Sequence, residues 1–207
     1  MQKYHSYKEL QQSETIGKDY CIRKRYGKSG ISIMAPHGGG IEPGTTEIAE
    51  AVAGDVHTFY TFSGLKGRGN AKFHIPSKRF DEPLGIEIAK NSRSILTIHG
   101  CKGNEEIVYI GGKGKRLKAK IRKALLDANF SVRETSRFPG KNPLNICNRS
   151  RSCKGVQLEI SAGLRRKLFR DLPRVNRKNN TRRFEQLVLA LRGALSEHIV
   201  DLDDVKP

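Results

Sequence analysis

Tryptophan is absent from this chain, and aromatic residues make up only 7% of it. The base-stacking platforms that single-stranded nucleic-acid binders use are therefore scarce. Acidic residues are also few, 21 against 39 Lys plus Arg. No apolar run approaches the roughly 20 residues that span a bilayer. The opening stretch, MQKYHSYKELQQSETIG, lacks the apolar core and small-residue cleavage site of a signal peptide. The chain is therefore expected to be cytoplasmic as made, acting outside the cell only after lysis or another release route. Cys21, Cys101, Cys147 and Cys153 include no Cys-x-x-Cys pair, which argues against a four-thiolate zinc site. A short Cys147–Cys153 disulfide loop is conceivable, but a chain of this size folds without one, and free thiols are expected. There is no internal repeat, no low-complexity linker, and no zinc-finger, RNP1 or KH signature in its usual context.

What the chain does contain is a hydrophobic share of 36% and a charged share of 29% over 207 residues. That is too apolar for a disordered tail and suits a single domain over residues 1–207. Its ends, 1–15 and 173–207, are the least regular, and the second closes in an amphipathic helix. The formal net charge is +18. Three runs concentrate it: Arg23–Lys28, Lys113–Lys123 and Arg174–Arg183. A polyanionic partner is implied, or else solvated helix faces and loops; charge alone does not choose.

Short apolar runs alternate with helical patterns, which predicts an α/β domain. The strands expected are Asp19–Lys24, Gly30–Ala35, His57–Phe62, Ser94–His99, Ile107–Ile110, Phe130–Glu134 and Val156–Ile160. Helices are expected near Thr45–Gly54, Pro83–Asn91, Lys115–Ala128, Ala162–Asp171 and Arg182–Ile199. The last carries an apolar stripe of Phe184, Leu187, Val188, Leu191, Leu195 and Ile199.

Three segments carry chemistry. In ISIMAPHGGGIEPGTTEIAEAV an apolar strand ends at Pro36-His37, three glycines follow, and a helix starts near Thr45. Ligands gather at the carboxyl ends of strands in open α/β sheets. The glycine turn can fold Glu42 back beside His37, giving two members of a His2Glu zinc set. A phosphate-cradling glycine loop or a plain strand-to-helix turn would read the same way. The segment SRSILTIHGCKG repeats the pattern, with His99 at a strand end before Gly100. His37, Glu42 and His99 would then leave a fourth position open for water. His57 and His74 remain possible ligands but lack the strand-end and glycine context, while His5 lies near the terminus and His198 in the last helix. In NRSRSCKGVQLEISAG the alternation puts Val156, Leu158 and Ile160 on one side of a strand and Gln157, Glu159 and Ser161 on the other. Glu159 is either a general base beside an activated water or the partner of a nearby arginine.

Together these pieces resemble the poly-γ-glutamate hydrolase family of Bacillus phages and their host genomes. The matching residues are His37-Gly-Gly-Gly-Ile-Glu42 with PGTTE, Phe80-Asp-Glu-Pro83, His99-Gly100, Asn148-Arg149 and Lys154-Gly-Val-Gln-Leu-Glu159-Ile-Ser161. The likeness runs from about residue 10 to 172. It implies a zinc-carboxypeptidase-like, three-layer α/β/α fold with a mixed, mostly parallel sheet. It also implies one zinc per chain on His37, Glu42 and His99, with Glu159 as general base. In carboxypeptidases the His and Glu ligands stand three positions apart; here they stand five apart. The implied substrate, poly-γ-glutamate, is a polyanion whose charge complements the basic excess, cut internally to oligo-γ-glutamates. Arg149 and Arg79 are the candidates to steady an oxyanion or grip an α-carboxylate, with Asn148 beside them. A monomer is expected, with no membrane partner and only non-specific electrostatic contact with nucleic acid. The competing functions are an amidohydrolase of small acylated amino acids and a non-catalytic, basic nucleic-acid-binding protein.

Overall fold

Seven short apolar runs become seven strands of one sheet in the computed structural model, which describes residues 3–204. The outermost positions of the two end segments, 1–2 and 205–207, lie outside the described residues. The strands are β1 (Tyr20–Arg25), β2 (Ile31–Gly39), β3 (Thr58–Gly64), β4 (Ser94–Cys101), β5 (Ile107–Gly112), β6 (Ser131–Arg133) and β7 (Val156–Ser161). Their order is β1-β3-β2-β4-β7-β5-β6. β3, β2, β4 and β7 run parallel as neighbours, while β1 on β3 and β5 on β7 are antiparallel. The sheet is mixed and mostly parallel, as the family resemblance implies.

The helices are α1 (Tyr7–Leu10), α2 (Thr45–Ala53), α3 (Pro83–Asn91), α4 (Lys115–Asp127), α5 (Ala162–Phe169) and α6 (Arg182–Asp204). Strand alternation sends side chains to two cores, one on each face. Ile31, Ile33, Ala35, Leu96, Ile98 and Leu158 pack with the apolar stripes of α2, α4, α5 and α6. Met34, Tyr60, Phe62 and Ile95 pack on the other face with Leu10 of α1, Ile88 of α3, Tyr4, Phe73, Phe80 and Ile146. Much of the scarce aromatic content is therefore spent on this second core, leaving little for surface stacking. No described helix is long and apolar enough to cross a membrane. All four cysteines are free thiols.

Two local features place the site. β2 continues four residues past the predicted end at Ala35, and its pairing with β3 slips by one residue between Ala35 and Gly38. This bulge re-aims His37 within the strand rather than after it. The second feature is the cap of α3. Glu82 accepts hydrogen bonds from the Leu84 and Gly85 amides, Pro83 occupies the first turn, and the Tyr60 hydroxyl donates to Glu82 at 2.5 Å. The Phe80–Pro83 motif thus starts a helix and fills a core, with Phe80 fully buried.

Candidate metal centre and cleft

The loop after the bulge turns back on itself. The Ile41 amide donates to the Gly38 carbonyl, and the Glu42 amide donates to the His37 carbonyl at 2.9 Å. Gly38 is required there, because a Cβ would lie 2.1 Å from Thr46 Oγ1 and 2.2 Å from Thr61 Oγ1. The fold-back brings Glu42 Oε1 to 3.1 Å from His37 Nδ1. From the adjacent strand β4, His99 Nδ1 lies 3.1 Å from His37 Nδ1 and 3.5 Å from Glu42 Oε2. The Gly100 amide donates to Glu42 Oε2 at 2.8 Å. Both histidines are almost fully buried.

The chemistry of these donors tests whether they suit a cation. His37 Nε2 sits 2.7 Å from the Ile75 carbonyl, which only accepts, so Nε2 carries the ring proton of a neutral imidazole. Its Nδ1 then presents a lone pair to the Glu42 carboxylate, two electron-rich groups face to face. A positive ion between them removes that repulsion. Each Glu42 oxygen faces a different imidazole, Oε1 toward His37 and Oε2 toward His99, and one ligand atom from each of the three residues lies within 4.8 Å of the others, close enough for one ion to reach all three. The Ile75 carbonyl on His37, and Ser77 Oγ at 3.4 Å from His99 Nε2, are the outer partners that orient metal-binding imidazoles. The residues present fit a divalent cation.

Burial and neighbouring charge set the ionisation of this group. Burial holds His37 down to about 4, in the neutral form a ligand needs. Burial works to raise Glu42, but His37, His74 and His99 outweigh it and keep the carboxylate ionised, well below its ordinary range. Burial also opposes the charged form of His99, yet Glu42 and Glu159 raise it overall.

Glu159 stands opposite His99 in the β4–β7 register and lines the same cavity, which has a volume of about 950 Å³. Its carboxylate has no hydrogen bond or ion pair to any described residue. Burial, reinforced by the negative charge of Glu42, pushes it up to about 7. The alternative of an arginine partner is therefore not what the structure shows. The nearest candidate, Arg165 of α5, instead donates to the backbone carbonyls of Ile160, Pro43 and Cys101. That guanidinium ties β7, the glycine loop and the end of β4 together under the site. Gly100 leaves room for it, since a Cβ there would fall 2.7 Å from Arg165 Cζ.

The other expected residues are elsewhere. Arg149, Arg79 and Asn148 do not line the cavity. Arg149 donates to the carbonyls of Leu144, Phe80 and Lys78, behind the wall that carries Ser77 and Lys78. Asn148 is buried and donates to the Gly140 and Asn142 carbonyls, fastening the opposite wall. Arg79 is exposed, with Nη1 3.3 Å from His5 Nδ1. The pair Asn148-Arg149 supports both walls from outside.

Three kinds of residue were not legible beforehand. His74 lines the cavity, with its Nε2 3.4 Å from Glu42 Oε1 and its ring 4.0 Å from that of His37. It lies in an irregular segment with no strand-end signature. Arg165 looks in sequence like one more basic helix residue. The exposed cations of the cavity wall, Lys78, Lys102, Arg137 and Lys141, lie outside all three basic runs. The runs themselves make many intramolecular contacts: Arg23 with Glu50, Lys118 with Glu134, Lys120 with Asp201, and Arg177 with Glu47.

Comparison with known proteins agrees with this geometry. The profile of the poly-gamma-glutamate hydrolase family matches residues 4–190. The SPbeta prophage-derived UPF0714 protein YoqZ of Bacillus subtilis is 32% identical over 99% of this chain and 76% of its own. A bacteriophage poly-gamma-glutamate hydrolase structure superposes with a TM-score of 0.93 at 33% identity, covering 96% of this chain and 98% of that one. The zinc-free apo structure of YndL superposes with a TM-score of 0.90 at 28% identity, over 96% and 99% of the two chains. The chain is a member of the poly-gamma-glutamate hydrolase family.

Proposed function

We propose that this protein is a zinc-dependent hydrolase that cleaves γ-glutamyl amide bonds within poly-γ-glutamate, acting as a monomeric single domain. The convergence of His37, Glu42 and His99 on one point, with an unpaired Glu159 across the same cavity, carries this reading. Family membership supplies the substrate class.

His37, Glu42 and His99 would hold the zinc, which would supply Lewis acidity toward the amide carbonyl and toward the attacking water. The chain's own groups do the rest. Glu159 is a carboxylate with nothing to hold it but solvent and the cavity. It takes the proton of the attacking water and returns it to the departing amine, work typically worth 10²–10⁴-fold. His74 and the Gly100 amide hold the two oxygens of Glu42 in place. Lys78, Lys102, Arg137 and Lys141 attract the α-carboxylates of neighbouring residues, a role that replaces the one expected of Arg79 and Arg149. An open cleft lined by cations suits an extended polyanion better than a small acylated amino acid.

The test is to incubate purified protein with poly-γ-glutamate, with zinc or with chelator, and follow polymer size. Internal cleavage gives a rapid fall in mean size before much small product appears. An unchanged polymer with zinc present would refute the proposal, and slow trimming with free glutamate as the first product would refute internal cleavage.

A further inference from the structure

A second hollow, of about 500 Å³, adjoins the first. Pro43 and Leu172 line both, so the two meet at a shared saddle. Arg165 holds the Pro43 carbonyl from below at 2.6 Å, which fixes one side of that saddle. Four cations and no acidic residue line the second hollow: Lys66, Arg68, Arg174 and Arg177. Two of them are neutralised within the protein. Lys66 pairs with Glu14 and Asp19 at 2.9 and 3.0 Å, and Arg177 with Glu47 at 2.8 Å. The other two are not. Arg68 is exposed on a loop between Gly67 and Gly69, with no ion pair among the described residues. Arg174 is exposed and, among the described residues, hydrogen-bonds only the Gly64 and Leu65 carbonyls. The result is a concave patch with two uncompensated guanidiniums, continuous with the cavity that holds Glu159. Guanidinium forks match carboxylates in shape as well as charge.

We infer that this hollow is a remote subsite for the substrate chain, in which Arg68 and Arg174 hold an α-carboxylate of a glutamyl residue beyond those in the main cavity. The inference rests on the hydrolase reading and deepens it. The site rewards substrate length, because only a chain that crosses the Pro43–Leu172 saddle reaches it. Binding there is uniform between ground and transition states, so it acts on KM rather than on kcat.

The test compares Arg68→Glu with Lys90→Glu, which makes the same change of net charge on α3, away from both hollows. Arg68→Ala guards against misfolding of the reversal. KM and kcat are measured on long poly-γ-glutamate and on the shortest γ-glutamyl oligomer that the unaltered protein cleaves. In parallel, polymer binding is measured by titration in a Glu159→Gln background, which needs no turnover. The expected result is a KM for polymer raised about fivefold by Arg68→Ala and more by Arg68→Glu, the worth of one good surface ion pair. The kcat on polymer holds, the ratio of polymer to oligomer efficiency falls, and Lys90→Glu has less effect than either. Binding to the Glu159→Gln protein weakens in step. Equal losses from Lys90→Glu and Arg68→Glu would mean net charge alone and would overturn the subsite. So would equal losses on polymer and short oligomer, or unchanged polymer binding. Should the unaltered protein cleave nothing, the hydrolase reading fails by itself, and the binding titration still decides whether the hollow holds the polymer.

Discussion

Replacing Glu159 with Gln is expected to make the protein inactive and, without metal, more stable. The side chain keeps its shape but loses the charge and the ability to accept a proton. Its carboxyl stands at about 7 in the metal-free fold against an ordinary 4.5, because burial and the Glu42 charge disfavour ionisation. A group whose folded pKa is raised in this way costs the native state nothing below the unfolded value. The cost grows as pH rises from 4.5 and is complete above about 7. Two and a half decades of proton affinity correspond to about 3 kcal/mol, an upper figure because the group borders an open cavity. For a chain of this size that is up to roughly 6–12 °C in melting temperature. Glu159→Gln should therefore raise the melting temperature in chelator at pH 8, by clearly more than at pH 5. With zinc restored the gain should shrink, since a neighbouring cation favours the carboxylate. Turnover on poly-γ-glutamate should drop by about 10²–10⁴-fold, with metal content unchanged. Differential scanning fluorimetry across pH and polymer sizing supply both readings. A variant that is no more stable at pH 8 than at pH 5, and still hydrolyses at near-normal rate, would refute the role and the electrostatics behind it.

Arg149→Ala should lower stability rather than affinity, because its guanidinium serves three backbone carbonyls and no cavity. Charged hydrogen bonds of this kind are worth about 1.5–3 kcal/mol; a large rise in KM with unchanged melting would restore it to the substrate site. His57 is buried against Ser29 and held down to about 4, chiefly by burial and then by Arg192. The unfolded chain binds this proton more readily, so stability present above pH 6.5 should be lost as pH falls through 4, by about 3 kcal/mol. Urea titrations at stepped pH should show this fall, and His57→Gln should flatten it; identical slopes would remove His57 as the cause. The KM for polymer should rise steeply with added salt, because the wall cations act through screened charge. A flat response would mean that they do not meet the substrate.

Much of this fold was readable in advance because each strand is a short apolar run between turn signals and each long helix carries its own stripe. The end of β2 was not, because a bulge at Pro36-His37 depends on pairing with β3, which no local pattern announces. The helix Tyr7–Leu10 is only one turn, held by a Ser6 cap and by contact with Asp81 seventy-four positions away. At the site, His37, Glu42 and His99 were legible because glycine after a strand-end histidine is a local signature. His74 was not, since the Phe73 and Ile75 flanking it are buried for reasons of packing. Asn148 and Arg149 are engaged with backbone carbonyls outside the cavity lining. Their polar side chains are needed for buried carbonyls in both walls, and sequence does not distinguish such a demand from contact with a ligand.

The central claim is that one cation joins His37, Glu42 and His99 and that hydrolysis depends on it. Elemental analysis of purified protein, paired with polymer sizing on the same samples, tests it most directly. One zinc per chain in the unaltered protein, and neither zinc nor hydrolysis in His99→Ala, is the expected result. Full cleavage by a His99→Ala protein free of metal would contradict it.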